Sequence, residues 1–443
     1  MNPIVVAVVL MLGLALARVH VVVSLMLGAL AGGLLSGLDL TATIKAFEAG
    51  LSGGASIALS YILLGAFAAA IIHSGLPDAI AQRAVGFARA QSHSAHFLKW
   101  GVIAVIILMS VMSQNVVPIH IAFIPMLIPP LLPLFDRLRV DRRLLACAMT
   151  FGLVTTYMFL PYGFGEQFLR KILLFNISQS GLDVMHFSNA QIMKAMLIPA
   201  LGMLGGLLLA LFVSYRKSRD YGDTHHVGHT EAENAQTFTP YRSAVAIVAI
   251  VVSFLVQIFA GSLMAGALTG FAIFVISGVV HWRDSDAVFN RGLRMMAMIG
   301  FIMIAAQGFA AVVRESGQIQ PLVDSSVALF GGSKGLAAFV MLLVGLLITM
   351  GIGSSFSTLP IIAAVYVPLC MELGFSPLAT IALIGSAGAL GDSGSPASDS
   401  TLGPTMGLNI DGRHDHIRDT VIPTFLHFNL PLLLAGWIAA MTL

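Results

Sequence analysis

The stretch Gly391–Ser400 reads GDSGSPASDS and interrupts a long apolar segment with glycine, proline, serine and two aspartates. A comparable interruption, Pro161–Glu166, reads PYGFGE and lies in the first half of the chain. Backbone groups freed from helical hydrogen bonds cannot face lipid, so such breaks must lie against protein or a water-filled cavity. Matched breaks in two halves of a chain are typical of the solute and ion site of a secondary transporter.

A second pair of matched polar segments precedes these breaks. Ser113–Pro118 reads SQNVVP and Ser354–Pro360 reads SSFSTLP, each inside an apolar segment. We predict that each forms the tip of a re-entrant helical hairpin. Pro118 and Pro360 suit the first turn of the returning helix, where a missing N–H costs nothing.

Composition fixes the class of protein. Of the 443 residues, 57% are hydrophobic and 10% are charged, and the mean hydropathy is +0.92. Ordinary soluble domains carry about 25% charged residues. The chain is therefore expected to be an all-α polytopic membrane protein whose surroundings are a lipid bilayer. The net charge of +2 gives no indication of nucleic-acid binding, and the segment after Met1 lacks the basic start of a signal peptide, so it is predicted to be the first span.

The chain divides into two similar halves. A polar stretch, 216–241, separates residues 1–215 from residues 242–443 and is predicted to be a cytoplasmic linker. Ser24–Gly32 matches Ser262–Gly270 at seven of nine positions. Further matches follow in the same order in both halves, which indicates an internal duplication.

Each half is predicted to contain three spans, a re-entrant hairpin, a broken span and a last span. The predicted ranges are 3–18, 20–38, 54–75, 98–134, 143–175 and 190–214, then 242–260, 262–281, 295–313, 336–371, 377–408 and 420–441. Five crossings is an odd number, so the second half must enter the membrane inverted. The fold class is therefore two inverted repeats of five transmembrane helices plus a hairpin each, with the broken helices at mid-membrane.

The distribution of basic residues supports this layout. Of 23 lysines and arginines, it places 17 on one side of the membrane and six on the other. Basic residues collect on cytoplasmic loops. Both termini are thus predicted to be periplasmic in a bacterial inner membrane. If the hairpins crossed fully, Arg137–Arg143 would lie opposite Arg83–Lys99 and the asymmetry would be lost.

The breaks and tips supply the candidate binding groups. A helix N-terminus at mid-membrane attracts anions, and a C-terminus attracts cations. Hydroxyl, amide and carboxylate oxygens suit Na+, and the candidate Na+ ligands are Ser113, Asn115, Ser357, Thr358 and Asp392. The full set of candidate substrate and ion ligands is Ser113, Gln114, Asn115, His120, Gly163, Glu166, Ser354, Ser355, Ser357, Thr358, Asp392, Ser393, Ser395, Asp399 and Ser400.

The acidic members of that set are the most informative. Charges at membrane depth are costly and usually functional. Asp392 and Asp399 could hold Na+, take up a proton or pair with a substrate ammonium. Glu166 lies close to Arg170 and Lys171, so an ion pair at a loop end is an equal alternative for it.

Other polar residues have simpler explanations. His120, Gln307, His427 and Asn429 interrupt apolar segments, where bonding to a neighbouring helix is the commoner role. A stripe of small residues between Ser24 and Ser36 is typical of close helix packing, and a homodimer is one hypothesis that it raises.

An enzymatic function is not favoured. The GDSGSP segment resembles the nucleophile region of chymotrypsin-like proteases, but that chemistry needs a histidine and a second acid on a strand-rich fold. Here the segment interrupts an apolar helix. No cofactor is expected, apart from Na+ as a coupling ion.

The segments Gly391–Gly407 and Arg418–Asn429 resemble the Na+/H+ antiporter family of the ion transporter superfamily. The resemblance covers nearly the whole chain and is closest to the NhaC-like branch with its predicted amino-acid permeases, some thought to carry histidine. It implies a scaffold domain from the early spans of each half and a mobile domain from the hairpins and broken spans. In the wider superfamily, serine-asparagine-threonine tips bind Na+ and substrate carboxylates. Ser113–Asn115 and Ser355–Thr358 depart from that pattern.

Three functions remain open from sequence. The leading hypothesis is cation-coupled transport, by Na+ or H+, of a small amino acid such as histidine. The main alternative is Na+/H+ exchange without an organic substrate. An ion channel fits less well, because paired re-entrant breaks suit alternating access.

Overall fold

The computed structural model describes residues 2–17, 19–77, 79, 83, 95–115, 120–221 and 239–443. Every regular element in these ranges is helical. Residues 116–119, which include Pro118 at the first predicted tip, and most of the predicted linker (222–238) lie outside the described residues.

The first half contains helices with these bounds: α1 (Pro3–Leu16), α2 (Val21–Leu35), α3 (Leu40–His73), α4 (Ala95–Asn115), α5 (His120–Arg137), α6 (Arg142–Phe159), α7 (Phe164–Gln179) and α8 (Asn189–Ser214). The second half contains α9 (Pro240–Ala260), α10 (Leu263–Ile276), α11 (Ser285–Glu315), α12 (Ile319–Phe330), α13 (Lys334–Ile352), α14 (Ser355–Glu372), α15 (Pro377–Ala389), α16 (Asp399–Leu408) and α17 (His416–Thr442).

The described helices agree with the predicted class. Seven of them are long and apolar enough to cross a membrane, and the bent pair α6–α7 would make an eighth span. Three helices differ most from the prediction, and one of them, α11, begins at Ser285 rather than near residue 295. The third helix begins at Leu40 rather than near residue 54, because the Asp39 side chain accepts a hydrogen bond from the Ala42 N–H and caps its N-terminus. Helix α12 was not predicted at all.

The helix breaks fall where the sequence places them. Helix α6 ends at Phe159, just before Pro161, and α7 follows at a 52° angle to it. Gly163 has φ +62, a left-handed conformation that side chains with a Cβ rarely adopt, and it lies directly against the backbone of Asn115. In the second half, α15 ends at Ala389, Gly391 has φ +90 and a short 3-10 turn, Asp392–Gly394, precedes α16.

One detail of the second predicted tip is wrong. Helix α14 begins at Ser355 with Ser354 as its N-cap residue, so Pro360 is the sixth helical residue and lies in the second turn. The helix continues through this proline, which removes one backbone hydrogen bond from its interior.

The halves pack on each other through corresponding helices. The longest contact joins α3 to α11; in addition α2 packs against α11, and α10 packs against α3. Around the breaks, α5 packs against α16, and α14 packs against α7. The interrupted segments of both halves are thereby brought to one region between the helices.

Glycines allow α3 and α11 to approach closely. A Cβ added to Gly65 would lie 2.3 Å from the Gly292 carbonyl oxygen, and a Cβ on Gly292 would lie 2.1 Å from the Gly65 oxygen. Backbone contact of this kind is a common way to pack membrane helices, which gain little from hydrophobic exclusion of water.

A polar cluster ties together the ends of α5, α6 and α16. The guanidinium of Arg142 is fully buried and bonds Asp136 at 3.1 Å and Asp411 at 2.6 Å. The neighbouring His414 is also buried, and its Nε2 lies 2.7 Å from the Thr420 hydroxyl. This cluster fixes the segment that connects the second broken helix to α17.

We predict that Gly65→Ala lowers the thermal unfolding midpoint of the purified protein. The added methyl group must separate α3 from α11, and overpacking of this kind costs about 1–3 kcal/mol. Gly205→Ala on α8 is the matched control, because a Cβ there meets nothing within 4 Å. Equal midpoints for the two variants would contradict the assignment of the α3–α11 contact as the central packing interface.

We predict a second, pH-dependent effect at His414. Burial lowers the pKa of His414 from 6.5 to about 4. Between these values the unfolded chain binds a proton that the folded chain does not, so the free energy of unfolding falls as the pH drops from 6.5 to 4, by up to about 3 kcal/mol. Thermal midpoints measured across this pH range should fall less steeply for His414→Gln than for the unmodified protein. The exposed His281→Gln is the control, and an unchanged slope in His414→Gln would refute the prediction.

Candidate functional site

A small, partly open cavity lies where the interrupted segments of both halves meet. Its volume is about 30 Å³, which is room for about one or two waters or an ion and too little for an amino acid. Its walls come from α3, α4, α6 and α7 in the first half, and from the α13–α14 junction, the 3-10 turn and α16 in the second. The cavity therefore joins all four interruptions of the chain.

Asp392 is held in this wall by the turn that carries it. The Asn429 Oδ1 atom on α17 accepts hydrogen bonds from the Gly391 N–H at 3.1 Å and from the Ser393 hydroxyl at 2.8 Å. The interrupted backbone after α15 is thus stabilised by a side chain rather than by a helix. Asn429, predicted to bond a neighbouring helix, does so at the base of the site.

The carboxylate of Asp392 accepts hydrogen bonds from three hydroxyl groups. Ser398 donates to Oδ1. The Tyr157 hydroxyl donates to Oδ2 at 2.5 Å, and Ser400 reaches the same oxygen at 3.5 Å. Tyr157 has one hydroxyl hydrogen, so Ser355, 2.8 Å away, must donate to it. These donors stabilise the ionised carboxylate inside a mostly apolar bundle.

Asp399 is the second acid of the cavity. It lies in the first turn of α16, is half-buried and, within the part of the chain that the structure describes, makes no hydrogen bond through its carboxylate. Asp392 and Asp399 both line the cavity. The pair therefore combines one carboxylate saturated by hydroxyl donors with one that is available to a ligand.

Two further polar atoms at the cavity lack partners among the described residues. They are the Gln114 Oε1 and the Tyr61 hydroxyl, both buried. Leaving a buried polar atom unpaired costs about 1–3 kcal/mol, so such atoms in a native protein call for an explanation. An amide oxygen beside two carboxylates suits a hard cation such as Na+.

The other predicted ligands lie around the cavity rather than on its wall. Most are buried and bonded locally: Ser113 to Ser110 O, Asn115 to Leu160 O, Ser357 to Ser354, Thr358 to Ser354 O, and Ser395 to Met350 O. Of the predicted set, the described cavity wall contains Gln114, Ser354, Asp392, Asp399 and Ser400. The Asn115 Oδ1 has no hydrogen-bond partner among the described residues, so Asn115 stays a predicted ligand.

The remaining predicted residues lie apart from the carboxylate pair. Glu166 accepts a hydrogen bond from Gln257 on α9 and feels the charges of Lys171 and Arg170, while Arg170 itself bonds Asn189 and Phe187; the ion pair stays an alternative. Gly163 serves the bend before α7. The side chain of His120 lies outside the described residues.

Sequence reasoning missed the aromatic wall. Tyr61, Tyr157, Phe164 and Phe356 all line the cavity. The available signal was weak: a tyrosine inside an apolar helix, in a chain with only seven tyrosines. Tyr157 precedes Pro161 by one helical turn, which places its hydroxyl beside the break.

The fold and this cavity define a polytopic membrane transporter. The profile of the Na+/H+ antiporter family matches residues 148–437, and a second profile, also described as a Na+-H+ antiporter family, matches residues 2–88. The chain belongs to the Na+/H+ antiporter family, as its sequence motifs indicated.

Close relatives extend over the whole chain. An uncharacterized membrane protein of Vibrio parahaemolyticus is 54% identical, with 100% of both chains covered. One of Haemophilus influenzae is 49% identical over 100% of this chain and 99% of its own. A Bacillus subtilis protein called putative amino acid transporter YuiF is 49% identical, again over 100% of both chains.

Two solved structures share the fold at low identity. The YdaH transporter of Alcanivorax borkumensis has a TM-score of 0.60 at 15% identity and covers 94% of this chain and 96% of its own. MtrF of Neisseria gonorrhoeae, described within a class of antimetabolite efflux pumps, has a TM-score of 0.58 at 16% identity and covers 90% and 84%. The all-helical architecture is therefore that of known transporters.

We predict that Tyr157→Phe destabilises the protein by about 1–3 kcal/mol, because it removes a donor from a buried carboxylate. Tyr366→Phe is the matched control: its hydroxyl donates to the Met341 carbonyl inside α13 and does not touch an acid. Thermal unfolding of both variants provides the comparison. A Tyr157→Phe midpoint at or above that of Tyr366→Phe would exclude the tyrosine as a support of Asp392.

Proposed function

We propose that the protein couples the movement of Na+ or H+ to the transport of a small amino acid across the bacterial inner membrane. The observation that carries this proposal is the convergence of Asp392, Asp399 and the unpaired Gln114 oxygen on one ion-sized cavity. The name given to the Bacillus subtilis relative favours an amino acid as the substrate.

The cation would bind between the two carboxylates. Asp392 is fixed by its hydroxyl donors and supplies charge without moving. Asp399 and Gln114 contribute oxygens that accept no hydrogen bond from any of the described residues. A cation there offsets the repulsion between two acids in a low-dielectric setting, and a proton on one of them would do the same.

The amino acid would bind at the same junction. Ser354 makes no side-chain capping bond to α14, so the first N–H groups of that helix are free to hold a carboxylate. Asp399 would pair with the ammonium group. A cavity of about 30 Å³ cannot contain both the carboxylate and the ammonium group of an amino acid. Binding therefore requires the α14 and α16 segments to move away from a neighbouring wall.

The residues that line the cavity come from two predicted domains, and this division indicates which part moves. Among the cavity residues, Tyr61 on α3 is the contribution of the predicted scaffold, and the others come from the predicted mobile segments. We propose that residues 1–215 and 242–443 are inverted repeats joined by a cytoplasmic linker at 216–241. The reciprocal packing of α5 on α16 and of α14 on α7 supports this relation. Movement of the predicted mobile segments past Tyr61 would then expose the site first to one side of the membrane and then to the other.

The sequence also predicts how the whole protein is arranged in the membrane. We propose re-entrant hairpins at α4–α5 and α13–α14, periplasmic termini and a homodimer in which scaffold helices contact each other. The asymmetric distribution of lysine and arginine supports the orientation.

Na+/H+ exchange without an organic substrate is the second candidate function. The size of the cavity favours it, because about 30 Å³ suits an ion and excludes an amino acid unless the segments move. In this alternative the two carboxylates bind Na+ and protons in turn.

We predict that Asp399→Asn and Asp392→Asn abolish cation-driven uptake of amino acids in reconstituted vesicles, because each removes half of the cation site. Uptake of labelled histidine and other amino acids would be measured under a Na+ gradient and, separately, a pH gradient. The matched control is Asp324→Asn, which changes an exposed aspartate on α12 and should leave uptake intact.

The two candidate functions give different results in this assay. Absence of uptake for every amino acid, together with Na+-dependent proton movement by the unmodified protein, would reject the amino-acid proposal in favour of exchange. Normal uptake by both Asp392→Asn and Asp399→Asn would remove the carboxylate pair from the mechanism.

A further inference from the structure

A second cavity lies beside the carboxylate site and is much larger. This cleft has a volume of about 460 Å³, within the range of small-molecule sites, about 300–1,000 Å³. It lies between α3, the first turns of α7 and the turn from α9 to α10. We refer to it as the serine cleft.

One wall of the serine cleft is a stripe of hydroxyl groups on α3. Ser52, Ser56 and Ser60 are four residues apart, so they share a helix face and step inward by about 6 Å each. Ser52 and Ser56 are exposed, whereas Ser60 is buried. The stripe therefore leads from the surface into the bundle. The Ser52 and Ser60 hydroxyls donate to carbonyls of their own helix, which leaves their oxygens able to accept from a ligand.

The opposite wall carries positive charge. Arg170 is held in place by hydrogen bonds from Nε to Asn189 Oδ1 at 2.7 Å and from Nη2 to Phe187 O at 2.9 Å. Lys171 is exposed beside it. The nearby acid Glu166 bonds Gln257 and does not line the cleft. Of the described residues that line the cleft, two are cations and none is an acid, so its lining favours anionic groups.

The serine cleft ends at the wall of the carboxylate cavity. Ser60 lines the cleft and Tyr61 lines the cavity; likewise Gln167 lines the cleft and Phe164, one turn before it, lines the cavity. The ring of Phe164 lies 4.9 Å from that of Tyr61 and 5.1 Å from that of Phe356. Three packed aromatic rings thus line the carboxylate cavity on the side where its residues neighbour those of the cleft.

The predicted topology places the mouth of the cleft on the outer face. Lys45, before the serine stripe, and the pair Arg170–Lys171 belong to the minority of basic residues assigned outside. The turn between α9 and α10 is also assigned there. All three walls of the cleft thus meet on the same predicted side.

We propose that the serine cleft is an outer vestibule that binds amino acids before they reach the carboxylate site. Arg170 and Lys171 attract the substrate carboxylate, the serine hydroxyls accept from its ammonium group, and the rings of Tyr61, Phe164 and Phe356 close the inner end. The proposal rests on amino-acid transport as the proposed function. It adds a first binding site outside the carboxylate cavity, selective for solutes with a free carboxylate.

Thiol labelling tests the vestibule without measuring transport. The native Cys147 and Cys370 are both buried, so a Ser56→Cys variant offers one accessible thiol. Intact cells would be treated with membrane-impermeant methanethiosulfonates of opposite charge, an ethylsulfonate and an ethyltrimethylammonium. We expect external labelling, with a ratio of anionic to cationic rates that falls about fivefold when Arg170→Gln or Lys171→Gln is added. Ser325→Cys, on the exposed face of α12, should show no such change.

Protection of the introduced thiol by added solutes tests which chemical class of solute binds in the serine cleft. Amino acids with a free carboxylate should slow labelling of Ser56→Cys, and their methyl esters should protect less. Ser52→Cys, one turn nearer the surface, repeats the experiment in case the first variant does not reach the membrane.

The outcomes separate this proposal from the proposed function. The vestibule proposal is wrong if the thiol is labelled only from inside. It is also wrong if the ratio of labelling rates does not change with Arg170→Gln and Lys171→Gln. Either result would count even if vesicles accumulate amino acids. Equal protection by esters and free acids would overturn its carboxylate selectivity. Charge-selective external labelling in a protein that moves no amino acid would instead count against the proposed function.

Discussion

The structure around the site depends on one constraint: the Asp392 carboxylate is buried and must be satisfied by the protein. Hydroxyls from Tyr157, Ser398 and Ser400 meet that requirement. They come from α6 and from the segment after the second break, so the acid joins the two halves. Asn429 completes the arrangement by holding the turn that presents the acid. Without these donors, the charged carboxylate of Asp392 would lie unpaired inside an apolar bundle.

This constraint explains why the site combines rigid and free groups. The Asp392 carboxylate is occupied by hydroxyl donors, whereas Asp399 and the Gln114 Oε1 line the cavity without a donor among the residues that the structure describes. A ligand can therefore bind Asp399 and Gln114 without breaking the hydrogen bonds of Asp392. The aromatic rings of Tyr61 and Phe164 pack against each other in the wall of this cavity, and Ser60, next to Tyr61, lines the serine cleft.

Much of this organisation could be predicted from sequence. The breaks at Pro161 and Gly391 are visible because proline or glycine stands there with further glycines close by, a combination that favours the end of a helix; a single proline such as Pro360 did not end its helix. Family membership followed from the motif after Gly391. The wall residues Tyr61 and Tyr157 could not be found, because their roles depend on contacts between distant segments. The start of α3 at Leu40 was missed because a local cap by Asp39 extends an amphipathic segment beyond its apolar part.

The central claim is that the Asp392–Asp399 pair binds the coupling cation. The most direct measurement is the thermal unfolding midpoint of the detergent-purified protein as a function of Na+ concentration, at constant ionic strength and at several pH values. A cation that binds the folded state raises the midpoint by mass action. We predict a midpoint that responds to Na+, or to pH where the cation is a proton; Asp399→Asn should abolish the Na+ response, or reduce the pH response to the part that other groups such as His414 cause. An identical response to both cations in the variant and the unmodified protein would contradict it.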